Sequence, residues 1–148
     1  MISRVLILCS GNICRSPLAE VIFKRELPQI EFDSAGLLVE QSGLHDYSAA
    51  RYSQKVANLH NLDLSCHRAK QLNRELVEWS DLILVMEHDH INRLSDIVQG
   101  ARAKTLLIGQ WVGIGEVADP INKGYAEFVD CYATLERAVD SWRTRLVR

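Results

Sequence analysis

The stretch 4–17 constrains the fold of this chain more than any other part of the sequence. Residues 5–8 form an apolar run that is too short for a helix, so they predict a buried strand. Cys9 ends this run, and Arg15 follows after five intervening residues. The next two residues are a Ser-Pro pair, which is typical of a helix start with serine as N-cap. The stretch therefore predicts a strand, a tight loop and a helix in direct succession.

The loop between Cys9 and Arg15 is suited to binding an anion. Gly11 and Asn12 tolerate positive φ angles, which a tight loop needs. The N–H groups of such a loop can converge on one point, and the dipole of the following helix favours negative charge there. The guanidinium of Arg15 can bind two oxygens of a tetrahedral anion at once, which a lysine cannot do. We therefore expect the loop to bind phosphate-like anions.

The same electrostatic field acts on the thiol of Cys9. Because helix N-termini and nearby cations favour the thiolate, we expect a nucleophile at neutral pH that can attack phosphorus. The alternative interpretation is a buried structural cysteine beside a solvated arginine, since free cysteines are often core residues. The register of strand, cysteine, Gly-Asn, arginine and Ser-Pro favours the nucleophile. A phosphate ester is the first substrate class to consider.

Composition agrees with this interpretation and excludes some other classes. The 148 residues predict one domain over 1–148, and the net charge of −2 argues against a nucleic-acid binder. No apolar run approaches the ~20 residues that a membrane span needs, so we expect no membrane insertion, and no signal peptide is visible. The four cysteines are too few for a disulfide scaffold, and a thiolate needs reducing surroundings. We expect a cytoplasmic protein.

Apolar strands alternate with helix-period segments along the chain. This alternation predicts an α/β fold, an open parallel sheet with helices on both faces. The Cys9 loop then lies at the carboxyl end of the first strand, where such folds bind ligands. The predicted strands are Val5–Leu8, Ile30–Ser34, Leu82–Met86 and Thr105–Ile108. The predicted helices are Pro17–Glu26, Ser48–Leu59, Asn73–Trp79, His88–Ile97 and Tyr125–Arg145.

The motif Cys-x-Gly-Asn-Ile-Cys-Arg-Ser-Pro at 9–17 resembles the signature of the low-molecular-weight protein tyrosine phosphatases. The resemblance covers nearly the whole chain. Residues 34–37 resemble the end of the family's second strand, residues 81–87 resemble its third strand, and Asp119-Pro120 resembles its late Asp-Pro sequence. The stretch 109–137 is similar to the bacterial branch linked to exopolysaccharide and capsule synthesis. With right-handed crossovers, the resemblance implies four strands in the order 2-1-3-4.

The resemblance implies a protein tyrosine phosphatase that needs neither a metal nor another cofactor. Cys9 attacks phosphorus, Arg15 holds the phosphoryl oxygens, and Asp119 protonates the tyrosine oxygen and later activates water. Taken alone, Asp-Pro would be ordinary turn chemistry, so its position carries this assignment. The loop and two residues after the Asp-Pro sequence provide the expected substrate contacts: Ser10, Gly11, Asn12, Ile13, Cys14, Ser16, Ile121 and Tyr125.

Several of these residues have a second interpretation. Ser16 donates its hydroxyl to the Cys9 sulfur, or caps the helix, or does both. His67 resembles the family histidine that braces Asn12, but an ordinary surface histidine would fit the sequence as well. Cys14 contributes a backbone N–H. The sequence leaves open whether it also forms a reversible disulfide with Cys9 after oxidation.

The sequence also departs from the family pattern in two places. Ile121 stands where the family usually carries an aromatic residue, so either Tyr125 supplies an aromatic surface or the pocket is weaker. The segment 38–54 aligns poorly with the family and is expected to be longer than in close relatives, at a place where the family builds another pocket wall. Tyr47 and Tyr52 in this segment either line the site or pack against a second subunit, which leaves a homodimer open. A third feature, His88-Asp89-His90, is interpreted as a polar helix start and not as a metal site.

The resemblance implies phosphotyrosine proteins as partners, among them a bacterial tyrosine kinase that governs polysaccharide export. Two alternatives stay open. A thiol-dependent arsenate reductase shares this fold, but it needs further cysteines, and residues 86–100 contain none. The other alternative is a catalytically weak phosphotyrosine-binding or dimerising module, against which the intact Cys9, Arg15 and Asp119 argue.

Overall fold

The structure is a computed structural model that describes residues 1–146, so the last two residues of the predicted domain 1–148 lie outside the described residues. The strands are β1 (Arg4–Cys9), β2 (Glu31–Gly36), β3 (Leu82–Val85) and β4 (Thr105–Leu107). The helices are α1 (Arg15–Glu26), α2 (Arg51–Leu59), α3 (Arg74–Trp79), α4 (His88–Ile97) and α5 (Tyr125–Leu146). Two 3-10 turns flank β4, at Ala101–Lys104 and Gln110–Val112. All predicted strands and helices are present.

The four strands form one parallel sheet in the order β2-β1-β3-β4, which confirms the predicted α/β architecture. β1 lies in the middle and pairs with β2 and β3 in parallel, with Cys9 opposite Gly36 and Leu8 opposite Val85. The carboxyl ends of β1, β2 and β3 therefore meet at one edge of the sheet. This edge carries the loop that follows Cys9.

The apolar run of β1 is buried because the sheet is covered on both faces. Its side chains alternate between two core layers: Val5 and Ile7 pack with α1 and α5, whereas Leu6 and Leu8 pack with α3 and α4. All four residues have no exposed surface. Full burial of one such side chain stabilises a fold by about 1.5–3 kcal/mol. The four buried side chains therefore hold β1 firmly in the sheet, and β1 in turn fixes the start of the loop.

The start of α2 differs from the sequence prediction. The helix begins at Arg51 and not at Ser48, because the chain before it is held in an extended path. The Ala69 N–H donates to the Tyr47 carbonyl (2.8 Å), and the Ala50 N–H donates to the Ile13 carbonyl (2.8 Å). These hydrogen bonds hold the segment in an extended conformation beside the loop, so the helix begins only at Arg51.

The last helix closes one face of the sheet. Within α5, the indole Nε1 of Trp142 donates to the Ile108 carbonyl just after β4 (2.7 Å). Its apolar residues, including Leu135 and Val139, pack in the same layer as α1. No helix within residues 1–146 is both long enough and apolar enough to cross a membrane.

Candidate active site

The loop after β1 turns tightly around the sulfur of Cys9. Asn12 has a positive φ of 56°, a conformation that asparagine tolerates better than most residues. Its backbone N–H donates to the Cys9 Sγ (3.2 Å). A second donor comes from α1, since the Ser16 Oγ lies 3.0 Å from the same sulfur. The loop therefore presents the thiol to two hydrogen-bonding groups.

The side chain of Asn12 holds this loop from beneath. It is fully buried, and its Nδ2 donates to the Ser16 Oγ (2.8 Å) and to the Ser34 Oγ at the end of β2 (3.0 Å). Its Oδ1 accepts the backbone N–H of Lys70 (3.0 Å). The side-chain amide thus makes three hydrogen bonds, two through its nitrogen and one through its oxygen, which is why an asparagine at this position can fix the loop. Because Ser16 accepts from Asn12, its own proton is free for the Cys9 sulfur.

His67 braces the same residue through the backbone. Its Nε2 lies 2.6 Å from the Asn12 carbonyl, which can only accept, so Nε2 carries the proton. Burial of the ring lowers the pKa of His67 and keeps it neutral. The structure thus places this histidine in contact with the asparagine and not on an open surface.

The helix start differs from the sequence prediction. α1 begins at Arg15 with Cys14 in the N-cap position, and no side chain caps the helix. Ser16 is therefore not the cap, because its hydroxyl contacts Cys9 and Asn12. Pro17 is the third residue of the helix, still in the first turn, where the backbone N–H has no partner to lose.

The guanidinium of Arg15 is buried and held by three partners. Its Nη1 donates to the carboxylate of Glu87 and to the Val117 carbonyl (2.8 Å), and its Nη2 lies 3.4 Å from the Asp119 Oδ2. Burial alone would lower the pKa of Arg15, but the negative charges of Cys9 and the two carboxylates raise it, so the side chain stays cationic. Its Nε is buried without a partner among the described residues, so the guanidinium keeps a donor for an oxyanion.

These groups line one cavity of about 140 Å³ at the edge of the sheet. It contains the sulfur of Cys9, the cation of Arg15 and the carboxylate of Asp119. Its lining residues are Cys9, Ser10, Gly11, Ile13, Cys14, Arg15, Ser42, Leu44, Asp119 and Ile121. A thiol, a guanidinium and a carboxylate on one small cavity suit displacement at a tetrahedral oxyanion.

The wall of the cavity is aliphatic, and the predicted contribution of Tyr125 is not found there. The ring of Tyr125 packs edge-on against Tyr52 (5.4 Å between centroids), and the Lys55 Nζ lies 4.4 Å above it. Ile121 does line the cavity, as predicted, together with Leu44 from the segment 38–54. Tyr47 and Tyr52 do not line it. Since α5 is a continuous helix from Tyr125, packing against α2 directs this side chain away from the loop.

Two other predicted substrate contacts also lie outside the lining. The side chains of Asn12 and Ser16 are fully buried beneath the loop, where they bond to each other. They shape the cavity and do not form its surface. Cys14 lines the cavity with its thiol free, and burial raises the pKa of that thiol far above its usual range.

Two residues that sequence reasoning missed lie next to the loop. Glu87 precedes α4 and pairs with Arg15. His90, interpreted from the sequence as part of a polar helix start, is 2% exposed and places its Nε2 3.1 Å from the Ser10 Oγ. The available signal was topological, since β3 pairs with β1 in parallel and the chain that follows β3 therefore emerges beside the loop that follows β1.

The carboxylate of Glu116 accepts the backbone N–H of His88 (2.8 Å) and so stabilises the start of α4. Among residues 1–146, no three His, Cys, Asp or Glu side chains come together as a metal site.

The chain is similar to known proteins over its whole length. Residues 4–148 match the family described as low molecular weight phosphotyrosine protein phosphatase. The chain is 41% identical over 148 residues to the probable low molecular weight protein-tyrosine-phosphatase AmsI of Erwinia amylovora, with all of both chains covered. It is 38% identical over 144 residues to the low molecular weight protein-tyrosine-phosphatase Etp of Escherichia coli K12, covering 97% of this chain and 95% of Etp.

A solved structure shares the whole fold. Vibrio vulnificus Wzb in complex with benzylphosphonate superposes with a TM-score of 0.96 at 36% identity, covering 99% of this chain and 100% of that one.

Proposed function

The chain belongs to the family of low molecular weight phosphotyrosine protein phosphatases, and we propose that Cys9, Arg15 and Asp119 carry its protein-tyrosine-phosphatase activity. One observation supports this assignment most strongly: the thiol, the guanidinium and the carboxylate line the same cavity. Each of the three is held by other residues. The Cys9 sulfur is contacted by Asn12 and Ser16. Arg15 is held by Glu87 and the Val117 carbonyl, and Asp119 accepts the Ile121 N–H. The other loop residues that line the cavity contribute backbone N–H groups and shape.

The first half-reaction transfers the phosphoryl group to the enzyme. The Cys9 thiolate attacks phosphorus, a sulfur–phosphorus bond forms, and the bond from phosphorus to the tyrosine oxygen breaks. Asp119 donates its proton to the departing oxygen, so that the tyrosine leaves as a neutral phenol and not as a phenolate. Arg15 binds two of the phosphoryl oxygens and stabilises the charge that spreads over them in the transition state.

The second half-reaction releases phosphate. Asp119, now a carboxylate, takes a proton from a water molecule that attacks the phosphocysteine. The sulfur–phosphorus bond breaks, and the thiolate leaves. Because the Ser16 hydroxyl and the Asn12 N–H both reach this sulfur, they stabilise the charge that returns to it. The products are tyrosine and inorganic phosphate.

The substrates of this activity are phosphotyrosine proteins, and a bacterial tyrosine kinase governing polysaccharide export is the partner we propose. This choice rests on the likeness to AmsI and Etp and to the exopolysaccharide-associated branch of the family. A thiolate nucleophile and four free cysteines fit the reducing cytoplasm, where such a kinase would present its phosphotyrosines.

Hydrolysis of para-nitrophenyl phosphate by the purified protein tests the proposal. We expect turnover that vanadate inhibits, that EDTA leaves unchanged and that Cys9→Ser abolishes. Turnover that survives in Cys9→Ser would contradict the assigned nucleophile. Binding of a phosphotyrosine peptide without any turnover would favour the phosphotyrosine-binding module instead. Reduction of arsenate at the expense of thiols would favour the reductase.

A tyrosine-phosphorylated peptide from a bacterial tyrosine kinase of polysaccharide export tests the proposed partner. We expect it to be dephosphorylated with a higher kcat/KM than a scrambled phosphotyrosine peptide of equal charge. Equal kcat/KM values for the two peptides would contradict the proposed partner and leave the chemistry intact.

A further inference from the structure

The buried histidine at the start of α4 has no part in the chemistry described so far. His90 contacts Ser10, the residue directly after the nucleophile, through its Nε2 (3.1 Å). We propose that His90 is a positioning residue that fixes Ser10 and the Glu87–Arg15 pair for phosphoryl transfer. This inference rests on the proposed function and adds a residue to it.

The contacts of the imidazole determine which nitrogen carries the proton. The backbone N–H of Met86, just after β3, points at the His90 Nδ1 (3.4 Å), which must accept. In the neutral ring the proton is then on Nε2, which donates to the Ser10 Oγ. Burial and the positive charge of Arg15 lower the pKa of His90 to about 4, against the weaker opposing effect of Glu87, Asp89 and Asp119. The ring is therefore neutral at physiological pH.

Ser10 is thereby held from two sides. On one side its carbonyl accepts the backbone N–H of Leu38, which follows β2 (2.9 Å). On the other side its hydroxyl accepts from His90, so that its own proton is free for an oxygen in the cavity that Ser10 lines. The residue after the nucleophile is clamped between the chain after β2 and the start of α4.

The same nitrogen lies beside the carboxylate that orients Arg15. The His90 Nε2 is 3.9 Å from the Glu87 Oε2, the oxygen that accepts from the Arg15 Nη1. The imidazole thus fills the space between the loop and this ion pair. A shift of the ring would move both the loop and the partner of the guanidinium, and a misplacement of ~1 Å can reduce a rate by about 100-fold.

Two amide substitutions separate this role from a merely structural one. In His90→Gln, the amide N–H2 stands where Nε2 stood and can still donate to Ser10. In His90→Asn, the shorter side chain can still accept from Met86 but does not reach Ser10. We expect His90→Asn to lower kcat on para-nitrophenyl phosphate by about 10-fold or more and to weaken vanadate inhibition, whereas His90→Gln stays within about 3-fold of wild type.

Ser10→Ala breaks the same contact from the loop, so it tests the inference even if His90→Asn does not fold. We expect it to lower kcat about as much as His90→Asn, and the double variant to lose no more than either one. His88→Ala, on the exposed neighbouring residue, is the matched control and should equal wild type. Unfolding midpoints, measured alongside, show that the assay temperature lies below each transition.

The outcomes distinguish this inference from the function on which it rests. An inactive wild-type protein would contradict the proposed function itself. An active wild type would overturn only the role of His90 if His90→Asn and His90→Gln lost kcat equally, if neither lost it, or if the effects of His90→Asn and Ser10→Ala multiplied.

Discussion

Arg15 illustrates how one side chain depends on residues that are distant in sequence. Its guanidinium is held by Glu87, the carbonyl of Val117 and Asp119, each more than seventy positions away along the chain. A long flexible side chain would otherwise sample many rotamers, and ordering it costs up to about 2 kcal/mol. The folded protein pays this entropy before substrate arrives, so the cation is already oriented for the phosphoryl group.

Selective alkylation tests the state of the Cys9 thiol. We expect iodoacetate to modify Cys9 at neutral pH faster than any other cysteine, because two hydrogen-bond donors and a cation surround its sulfur. Phosphate should protect it. Cys131 is the internal control, since burial raises the pKa of its thiol to about 12 and should leave it unmodified. Mass spectrometry over a pH series measures both sites. A Cys9 rate no higher than that of the exposed Cys66, with no effect of phosphate, would contradict the thiolate.

Leaving-group dependence tests Asp119 as the general acid. Asp119→Asn keeps the size of the side chain but cannot donate a carboxylic proton. We expect a loss that grows with the basicity of the leaving group, up to about 10²–10⁴-fold for phenyl phosphate and less for an activated nitrophenyl ester. Single-turnover kinetics isolate phosphoenzyme formation from the second step. The same loss for every leaving group would show that Asp119 only holds its loop, in which the Asp119 Oδ1 accepts the Ile121 N–H (3.1 Å).

At the scale of elements, the end of β2 sets the space available to the loop. A Cβ at Gly36 would lie 2.5 Å from the Val39 Cγ2 and 2.7 Å from the Ser10 carbonyl oxygen. The second of these atoms belongs to the backbone of the loop itself. The strand and the loop can therefore approach this closely only because the strand ends in glycine.

Gly36→Ala tests this close approach. We expect it to lower the free energy of unfolding by about 1–3 kcal/mol through overpacking, and to reduce kcat because Ser10 must move. Gly124→Ala is the matched control, since its Cβ would meet only the end of the Glu127 side chain at 3.4 Å. Chemical denaturation and steady-state assays measure the two effects. Unchanged stability and kcat in Gly36→Ala would show that the loop adjusts without cost.

At the scale of the whole molecule, the site makes the fold sensitive to acid. His90 is buried as a neutral ring, and its pKa of about 4 lies below the value of about 6.5 expected in the unfolded chain. The unfolded chain therefore binds the proton first as the pH falls. The stability contributed by the neutral ring is complete above about pH 6.5 and is lost progressively as the pH falls through about 4.

His90→Gln tests this linkage because glutamine does not titrate. We expect the wild-type protein to lose up to about 3 kcal/mol more than the variant between pH 6.5 and pH 4. Urea unfolding across this range measures the difference, and subtracting the variant removes the effect of the carboxylates common to both. Parallel curves for the two proteins would show that the ring is already accessible to protons in the folded state.

Features that are local along the chain followed from residue types and their spacing. An apolar run of four residues, a cysteine, a Gly-Asn turn, an arginine and a helix start lie within one short stretch, so their types and spacing predicted the strand, the loop and the proposed nucleophile. The strict alternation of β1 between two core layers follows from the period of a strand and from cover on both faces. The helix-period segments likewise predicted α4 and α5 closely.

Which distant groups meet this loop depends on strand pairing and helix packing. Glu87 and His90 contact it because β3 pairs with β1, and Ser34 reaches Asn12 because β2 pairs on the other side. Tyr125 faces α2 and not the cavity for a similar reason, since packing between α5 and α2 directs its ring. A sequence pattern specifies residue type and periodicity, but burial of a polar group depends on partners that strand pairing and helix packing bring from elsewhere. The sequence could show that His90 lies at the start of a helix, whereas the fold determines that its ring lies against Ser10.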